Sequence, residues 1–402
     1  MNERFIARQP ILDARLQLHG YELLFRGSGT KDAFKAPSAT SQVIADSTMV
    51  FNWADLVGEV PAFVNFSLAE LTNGIALLLP RQHAVIEIPV EAALSDDLVS
   101  ACRGLHNAGY RLALDGFADL PGQRPLVEFS DYLKVDFHET SREFQADLGA
   151  RYAAGKARLV AKKIESWAEY DRARKLGFSF LQGFFFLEPQ ILHKRDVPNS
   201  RLNALSLLNT VHQSPLDIPQ VEAVLKRDPG LTYKLLRYLN SPIMERRAEI
   251  HSVANAVQLL GDQTFRRWAT LAAIVTPASD KPNELVHMAL TRALLCEKIA
   301  QRLEREDSYE FFLVGLLSLT SAILDQPLSH IVAGLPVALR VSGALLGEAN
   351  PLRYALDAVL AYEQAEWEQF VTFMERMAVP EDAVPECFAA ATKAARDLAA
   401  PL

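Results

Sequence analysis

The sequence predicts an α/β barrel followed by an all-α domain. About eight short β-type runs alternate with helical stretches up to roughly residue 197. Strand signals end after "KRDVPNSRL" (194–202), and the remainder reads as helix after helix. Alternating strands and helices imply a mostly parallel sheet. Eight strands are enough to close a barrel, with right-handed crossovers placing the helices outside. The division falls at 1–197 and 198–402.

The candidate strands, in order, are "RFIARQP", "YELLF", "AFVNF", "AVIEI", "YRLALD", "YLKVDF", "RLVAKK" and "FSFLQG". Between them, "LSDDLVSACRGLHNAG" sets Leu98, Val99, Cys102 and Leu105 at helical spacing and stops at Gly109. "SWAEYDRARKLG" is a second outer helix. Beyond residue 200, "RDPGLTYKLLRYLNSP" offers Asp228 as N-cap and Pro229 at the first helical position, with Leu231, Leu235 and Leu239 on one face. "HSVANAVQLLGD" has Ser252 as cap, a stripe of Val253, Val257 and Leu260, and Gly261 as its stop. "PNELVHMALTRALLCEKIAQRLER", "YEFFLVGLLSLTSAIL" and "PLRYALDAVLAYEQAEWEQFVTFMERM" complete a helical domain.

Composition narrows the function classes. The net charge is −8 and no long basic block exists, so phosphate-driven nucleic-acid binding is not expected. Arg266-Arg267-Trp268 reads as a solvated helix face. Cys102, Cys296 and Cys387 are odd in number and lack C-x-x-C spacing, which points to a reducing compartment without disulfides or zinc. No apolar run approaches the roughly 20 residues of a membrane span, and "MNERFIARQPILD" lacks the apolar core of a signal peptide. A cytoplasmic protein is expected.

In a β/α barrel, chemistry sits where strands give way to loops. The polar residues near those points are Gln9, Glu22, Asn65, Glu87, Asp115, Lys134, Asp136, Lys162 and Gln182. Burying a charge is costly, so such residues converge on a partner, a metal or solvent. Any one of them could simply meet water at the rim; so many on consecutive strands point to a ligand site. Glu22, Asn65, Glu87 and Asp115 are oxygen donors of the kind that suits Mg²⁺, Mn²⁺ or Ca²⁺.

These residues carry a resemblance. "QPILDARLQLHGYELLFR" resembles the opening of the EAL domain, a TIM-like barrel that hydrolyses cyclic di-GMP. "FVNFS", "IEI", "LALDGF", "YLKVD" and "LQGFFF" are similar to that family's later motifs, giving Asn65, Glu87, Asp115, Lys134 with Asp136, and Gln182. The resemblance implies that Glu22, Asn65, Glu87 and Asp115 face a divalent ion. It implies that Gln9 and Leu24 line the nucleotide cleft, and that Arg26 holds a phosphate bidentately. A structural ion pair at the rim accounts for Arg26 equally well.

Three departures from the family's pattern bear on activity. Gly116 replaces the second aspartate of a pair. "FADLPGQ", with Asp119 and Pro121, replaces a glycine-rich loop. Lys162 stands where a metal-site glutamate is typical, with Glu165 three residues on. An ammonium ~4 Å from a divalent ion, at an effective dielectric of ~20, is repelled by roughly 8 kcal/mol. It also has no lone pair with which to act as ligand or base. Salt bridges are therefore expected where metals would sit: no bound metal, no cofactor, and only a vestigial Mg²⁺/Mn²⁺ site. Lys163 is left to point outward by strand alternation.

The second half resembles the HDOD domain, a helical relative of HD phosphohydrolases without their catalytic residues, on "DPGLTYKLLRYLNSP", "SVANAVQLLG" and "FFLVGLLSL". After Gly315-Leu316-Leu317 the His-Asp pair of an active enzyme is replaced by Ser318-Leu319. His212, His251, His287 and His330 lack ligand spacing and read as surface or capping groups. Together the halves resemble the EAL–HDOD signalling family. The expectation is a catalytically inactive signalling adaptor that binds partner proteins, binds cyclic di-GMP weakly, and forms a homodimer. The alternative is a weak metal-dependent cyclic di-GMP phosphodiesterase, with Glu165 the nearest substitute base.

Overall fold

A computed structural model describes residues 5–26, 56–89, 95–190, 199–227, 260–275, 281–380 and 383–399, together with Leu231, Leu235, Val257 and Gln258. Eight strands close a barrel in sequence order: β1 (Phe5–Asp13), β2 (Leu18–Arg26), β3 (Ala62–Asn65), β4 (Ala84–Pro89), β5 (Arg111–Asp115), β6 (Tyr132–Asp136), β7 (Arg158–Lys162) and β8 (Phe180–Gln182). Each coincides with one of the β-type runs of the sequence.

The direction of β1 departs from the expected parallel sheet only in part. β1 is antiparallel to both β2 and β8, while β2 to β8 are parallel neighbours. The cause is local. Asp13 Oδ1 accepts from the backbone N–H of Arg15 (2.7 Å) and Gln17 (2.9 Å), and Leu16 adopts φ 64°. That makes a tight hairpin, which can join only antiparallel strands. The register places Gln9 opposite Glu22, and Ile11 opposite Gln182.

The barrel interior is filled. Ile11, Phe63, Val85, Ala113, Tyr132 and Val160 form a buried cluster, with Phe180 against it. His19 stacks on Phe180 at 3.9 Å between ring centroids, and its Nε2 lies 3.1 Å from the Tyr132 hydroxyl. This plug is the floor on which the polar residues stand. Truncating a ring such as Phe63 to alanine would cost about 3–5 kcal/mol.

Outer helices follow the sequence signals. Asp96–Asn107 buries Leu98, Cys102 and Leu105, and Ser95 caps it by accepting from Leu98 N–H at 3.1 Å. Trp167–Lys175 starts with a capping box between Ser166 and Glu169.

The chain clusters into two compact units: Met1–Phe186 with Ala358–Ala390, and Leu187–Asp357 with Ala391–Leu402. A single boundary between 197 and 198 assigns the helical unit everything after it; Ala358–Ala390 belongs with the barrel instead. Phe5 at the start of β1 stacks on Trp367 (5.7 Å) and meets Phe370 edge-on (5.4 Å). The Tyr362 hydroxyl donates to the Ile6 carbonyl at 3.0 Å and accepts from Ile6 N–H at 3.4 Å.

The second unit is helical, with Asn283–Arg302 its longest described helix. Leu231, Leu235 and Val257 are helical and buried as their stripes require. Gly261 follows in the left-handed region at φ 76°, the expected stop. Asp228, Pro229, Leu239, Ser252 and Val253 lie outside the described residues. The stretch 351–377 is two helices, Pro351–Glu363 and Trp367–Met377, parted at Ala365 with φ 57°. Arg266-Arg267-Trp268 is not a solvated face. Trp268 is buried, Arg266 Nη1 bonds the carbonyls of Val211 and Gln213, and Arg267 forks onto both Glu297 oxygens at 2.8 and 2.7 Å. All three cysteines are buried. No helix among the described residues is long and apolar enough to cross a membrane.

Candidate functional site

Asn65, Asp115, Asp136, Lys162 and Gln182 are each the last residue of a strand, and Glu87 lies two from the end of β4. They therefore share the C-terminal end of the parallel strands, where a β/α barrel keeps its chemistry. Glu22 comes up from β2 and is the hub. Its Oε1 accepts from Asn65 Nδ2 at 2.8 Å. Its Oε2 accepts from Lys134 Nζ at 2.7 Å and from Gln182 Nε2 at 2.6 Å. Gln182 Nε2 also reaches Gln9 Oε1 at 2.8 Å, and Lys134 also bonds Glu87. Gly183 fixes this corner: a Cβ there would meet the Ile164 carbonyl at 2.0 Å, so only glycine lets β8 end so close to the loop after β7.

The electrostatics follow from burial. Lys134 has no exposed surface; burial works against its charge, but Glu22, Glu87 and Asp115 outweigh it and raise its pKa. Burial likewise opposes the Glu22 carboxylate, yet Lys134 and Lys162 hold it well below the usual range. Glu87 is pushed up to about 8 by burial, with Glu22 adding and Lys134 opposing. One buried ammonium serves two carboxyl groups, so Glu22 keeps the charge and Glu87 the proton. Glu87 Oε2 and Gln182 Oε1 are buried without a partner.

Beside this network, Lys162 Nζ lies 2.5 Å from Asp115 Oδ1, and both side chains are partly exposed. The expected salt bridges are thus present, with Lys134 the larger contributor. By type, Glu22, Asn65, Glu87 and Asp115 suit a hard cation. As folded, Glu22, Glu87 and Asp115 close on ammonium groups and Asn65 on Glu22, and no group of three His, Cys, Asp or Glu among the described residues could hold a metal ion. A divalent ion does not fit this arrangement.

Other expected residues lie elsewhere. Asp136 binds Lys163 Nζ at 2.6 Å and caps the N–H groups of His138 (2.8 Å) and Glu139 (3.1 Å). Lys163 therefore does not simply point outward. Its backbone is left-handed, φ 57°, where strand alternation no longer applies. Glu165, the nearest substitute base in sequence, is largely exposed, with its carboxylate 3.8 Å from the His138 ring. Leu24 is half-buried in β2; Arg26 ends that strand, and its side chain lies outside the described residues. The altered loop is ordered around buried Asp119, which binds Arg124 (3.1 Å), Arg151 and the Tyr152 hydroxyl (2.6 Å).

In the helical unit, Ser318 Oγ accepts from Arg292 Nη1 at 2.8 Å and donates to the Gly315 carbonyl at 2.7 Å, while Leu319 is buried. Neither resembles a ligand. His212 is not a surface or capping group. It is half-buried, lies 3.1 Å from the Thr270 hydroxyl, and has its pKa pushed down to about 4 by burial, with Arg266 adding.

Comparison with known proteins gives the family. The HDOD domain family matches residues 197–324. The cyclic di-GMP phosphodiesterase CdgJ of Vibrio cholerae serotype O1 is 33% identical over 375 residues, 92% of this chain and 87% of that protein. The chain belongs to the EAL–HDOD family. Its N-terminal barrel is the EAL-like part, and its helical unit carries the HDOD domain. A second relative of this EAL–HDOD chain, the uncharacterized protein YuxH of Bacillus subtilis (strain 168), is 30% identical over 374 residues, 90% of this chain and 91% of its own. Among solved structures, Klebsiella pneumoniae BlrP1 in a manganese and cyclic di-GMP complex at pH 9.0 is 20% identical, with TM-score 0.36. It covers 45% of this chain and 55% of its own.

One expectation for this EAL–HDOD chain is corrected. Missing carboxylates at 116 and 162 predict a non-enzyme. A relative similar over nine-tenths of the chain is named a phosphodiesterase, so counting two carboxylates is not decisive. What the barrel retains is Glu22, Asn65, Glu87, Lys134 and Gln182 in one bonded network with Asp115 beside it.

Proposed function

We propose that the protein is a cyclic di-GMP phosphodiesterase whose site is the C-terminal mouth of the barrel. The observation that carries this reading is the network centred on Glu22, which joins residues of β1, β2, β3, β4, β6 and β8 at one rigid point. Similarity to a named phosphodiesterase over 92% of this chain supports it.

Hydrolysis of a phosphodiester bonds a water oxygen to phosphorus, breaks the bond from phosphorus to the leaving oxygen, and moves a proton from the water to that leaving oxygen. Negative charge grows on the phosphoryl oxygens, so positive charge fixed beforehand lowers the barrier. Lys134 contributes a fixed ammonium beneath the mouth, where it is the buried counter-ion of the Glu22 carboxylate. Glu87 Oε2 is the network's carboxyl oxygen without a partner, and it is where a proton is held near neutral pH. Asn65 and Gln182 keep the Glu22 carboxylate aimed at Lys134.

The test is incubation of the purified full chain with cyclic di-GMP, with and without Mg²⁺ or Mn²⁺, with the linear dinucleotide resolved by chromatography. Linear product is expected, and Glu22→Ala abolishes it. No product from the wild-type protein in any of these conditions sinks the reading.

A further inference from the structure

At the mouth of the barrel, Lys162 presents a partly exposed ammonium group with donors to spare. An ammonium carries three N–H donors. Lys162 Nζ bonds Asp115 Oδ1 at 2.5 Å and no other group among the described residues. The Lys162 side chain is 19% exposed and that of Asp115 is 22% exposed, so the pair faces an opening rather than the core. Lys134 is the contrast: it has no exposed surface and is bonded to two carboxyl groups. One lysine is an internal counter-ion; the other is anchored from behind by a carboxylate and turned towards solvent.

The space beside that pair is open. Gly116 follows Asp115, and a Cβ built there would meet nothing within 4 Å. Asp115 on its own would repel a phosphate. Paired with Lys162 it is neutralised, and the remaining N–H donors of the ammonium are of the kind that binds phosphate oxygens.

We propose that Lys162 is a phosphate-binding residue: its ammonium, anchored by Asp115, takes a non-bridging oxygen of the cyclic di-GMP phosphodiester directly, and the nucleotide binds without a divalent ion. The inference rests on the reading of the barrel mouth as a cyclic di-GMP site. It reverses the meaning of the lysine at this position. Where repulsion of a metal argued against a working site, the same charge serves the ligand itself.

The experiment is calorimetric titration of the full chain with cyclic di-GMP in buffer containing EDTA, at two salt concentrations. Wild-type protein, Lys162→Arg and Lys162→Met are compared, with thermal melts to check folding. Binding by the wild type is expected in EDTA. Lys162→Met weakens it roughly ten- to a hundredfold and flattens its salt dependence, whereas Lys162→Arg stays within about threefold. A second measurement needs no variant: adding Mg²⁺ changes the wild-type affinity by less than about twofold. The proposal is overturned if wild type and Lys162→Met bind equally, if binding requires Mg²⁺, or if no binding occurs in either buffer. The titration does not read turnover. Failure of hydrolysis therefore leaves Lys162 tested, and a requirement for Mg²⁺ in binding leaves the phosphodiesterase reading standing.

Discussion

Lys134 Nζ sits 2.7 Å from Glu22 Oε2 inside the barrel, with no solvent exposure on the lysine side chain and 6% on the glutamate side chain. Two charges so far from water are tolerated only because they satisfy each other. Removing one partner leaves the other buried and uncompensated. Lys134→Met should lower unfolding free energy by about 3–5 kcal/mol in urea melts. Lys134→Met combined with Glu22→Gln should cost less than Lys134→Met alone, since the orphan charge is gone. A double variant no more stable than the single one would show that the pair is not what holds the mouth.

Glu87 gives a pH signature with a definite sign. Its pKa is pushed up from 4.5 to about 8, chiefly by burial. The folded chain then holds a proton that the unfolded chain releases between those values. Stability from this group is complete below about pH 4.5 and is lost as pH rises through about 8. Urea melts at pH 5 and pH 9 should show the wild type losing stability relative to Glu87→Gln over that interval. Parallel profiles for the two proteins would remove Glu87 as the titrating group.

The strands were legible in the sequence because each is an apolar run ended or interrupted by a polar residue, and those polar residues include the members of the network. Three things were not legible, for physical reasons. The reversal of β1 depends on a hairpin held by Asp13, which periodicity does not report. The separation of Asp136 from the network depends on Lys163 leaving the extended region at φ 57°. The return of residues 358–390 to the barrel joins residues more than 350 positions apart, and no local pattern encodes that. Lys162 is a different case. The sequence names both Lys134 and Lys162, but only the structure shows that Lys134 is already seated between Glu22 and Glu87.

His19 titrates in the opposite direction. Burial, with Arg111 adding and Asp13 opposing, pushes its pKa from 6.5 down to about 4. The ring is stacked on Phe180 and must stay neutral there. Its contribution is therefore present above about pH 6.5 and lost as pH falls through about 4. Thermal melts at pH 7 and pH 4.5 should show a larger drop for the wild type than for His19→Phe, which keeps the stack and cannot charge. An equal drop in both would assign the acid sensitivity elsewhere.

The start of β1 depends on the far end of the chain. Tyr362 is fully buried and its hydroxyl is the partner of both Ile6 backbone groups. Phe5 is covered by Trp367 and Phe370. Tyr362→Phe removes the hydroxyl while keeping the ring, and leaves the Ile6 backbone groups without that partner, at a cost of about 1–3 kcal/mol. Trp367→Ala opens a cavity beside Phe5 and should cost about 3–5 kcal/mol. Hydrogen exchange locates the effect. Amides of β1 should lose protection in both variants, while those of Asn283–Arg302, in the other compact unit, keep theirs. Uniform loss across both units would mean that the two unfold as one, and that Tyr362 does not act through β1.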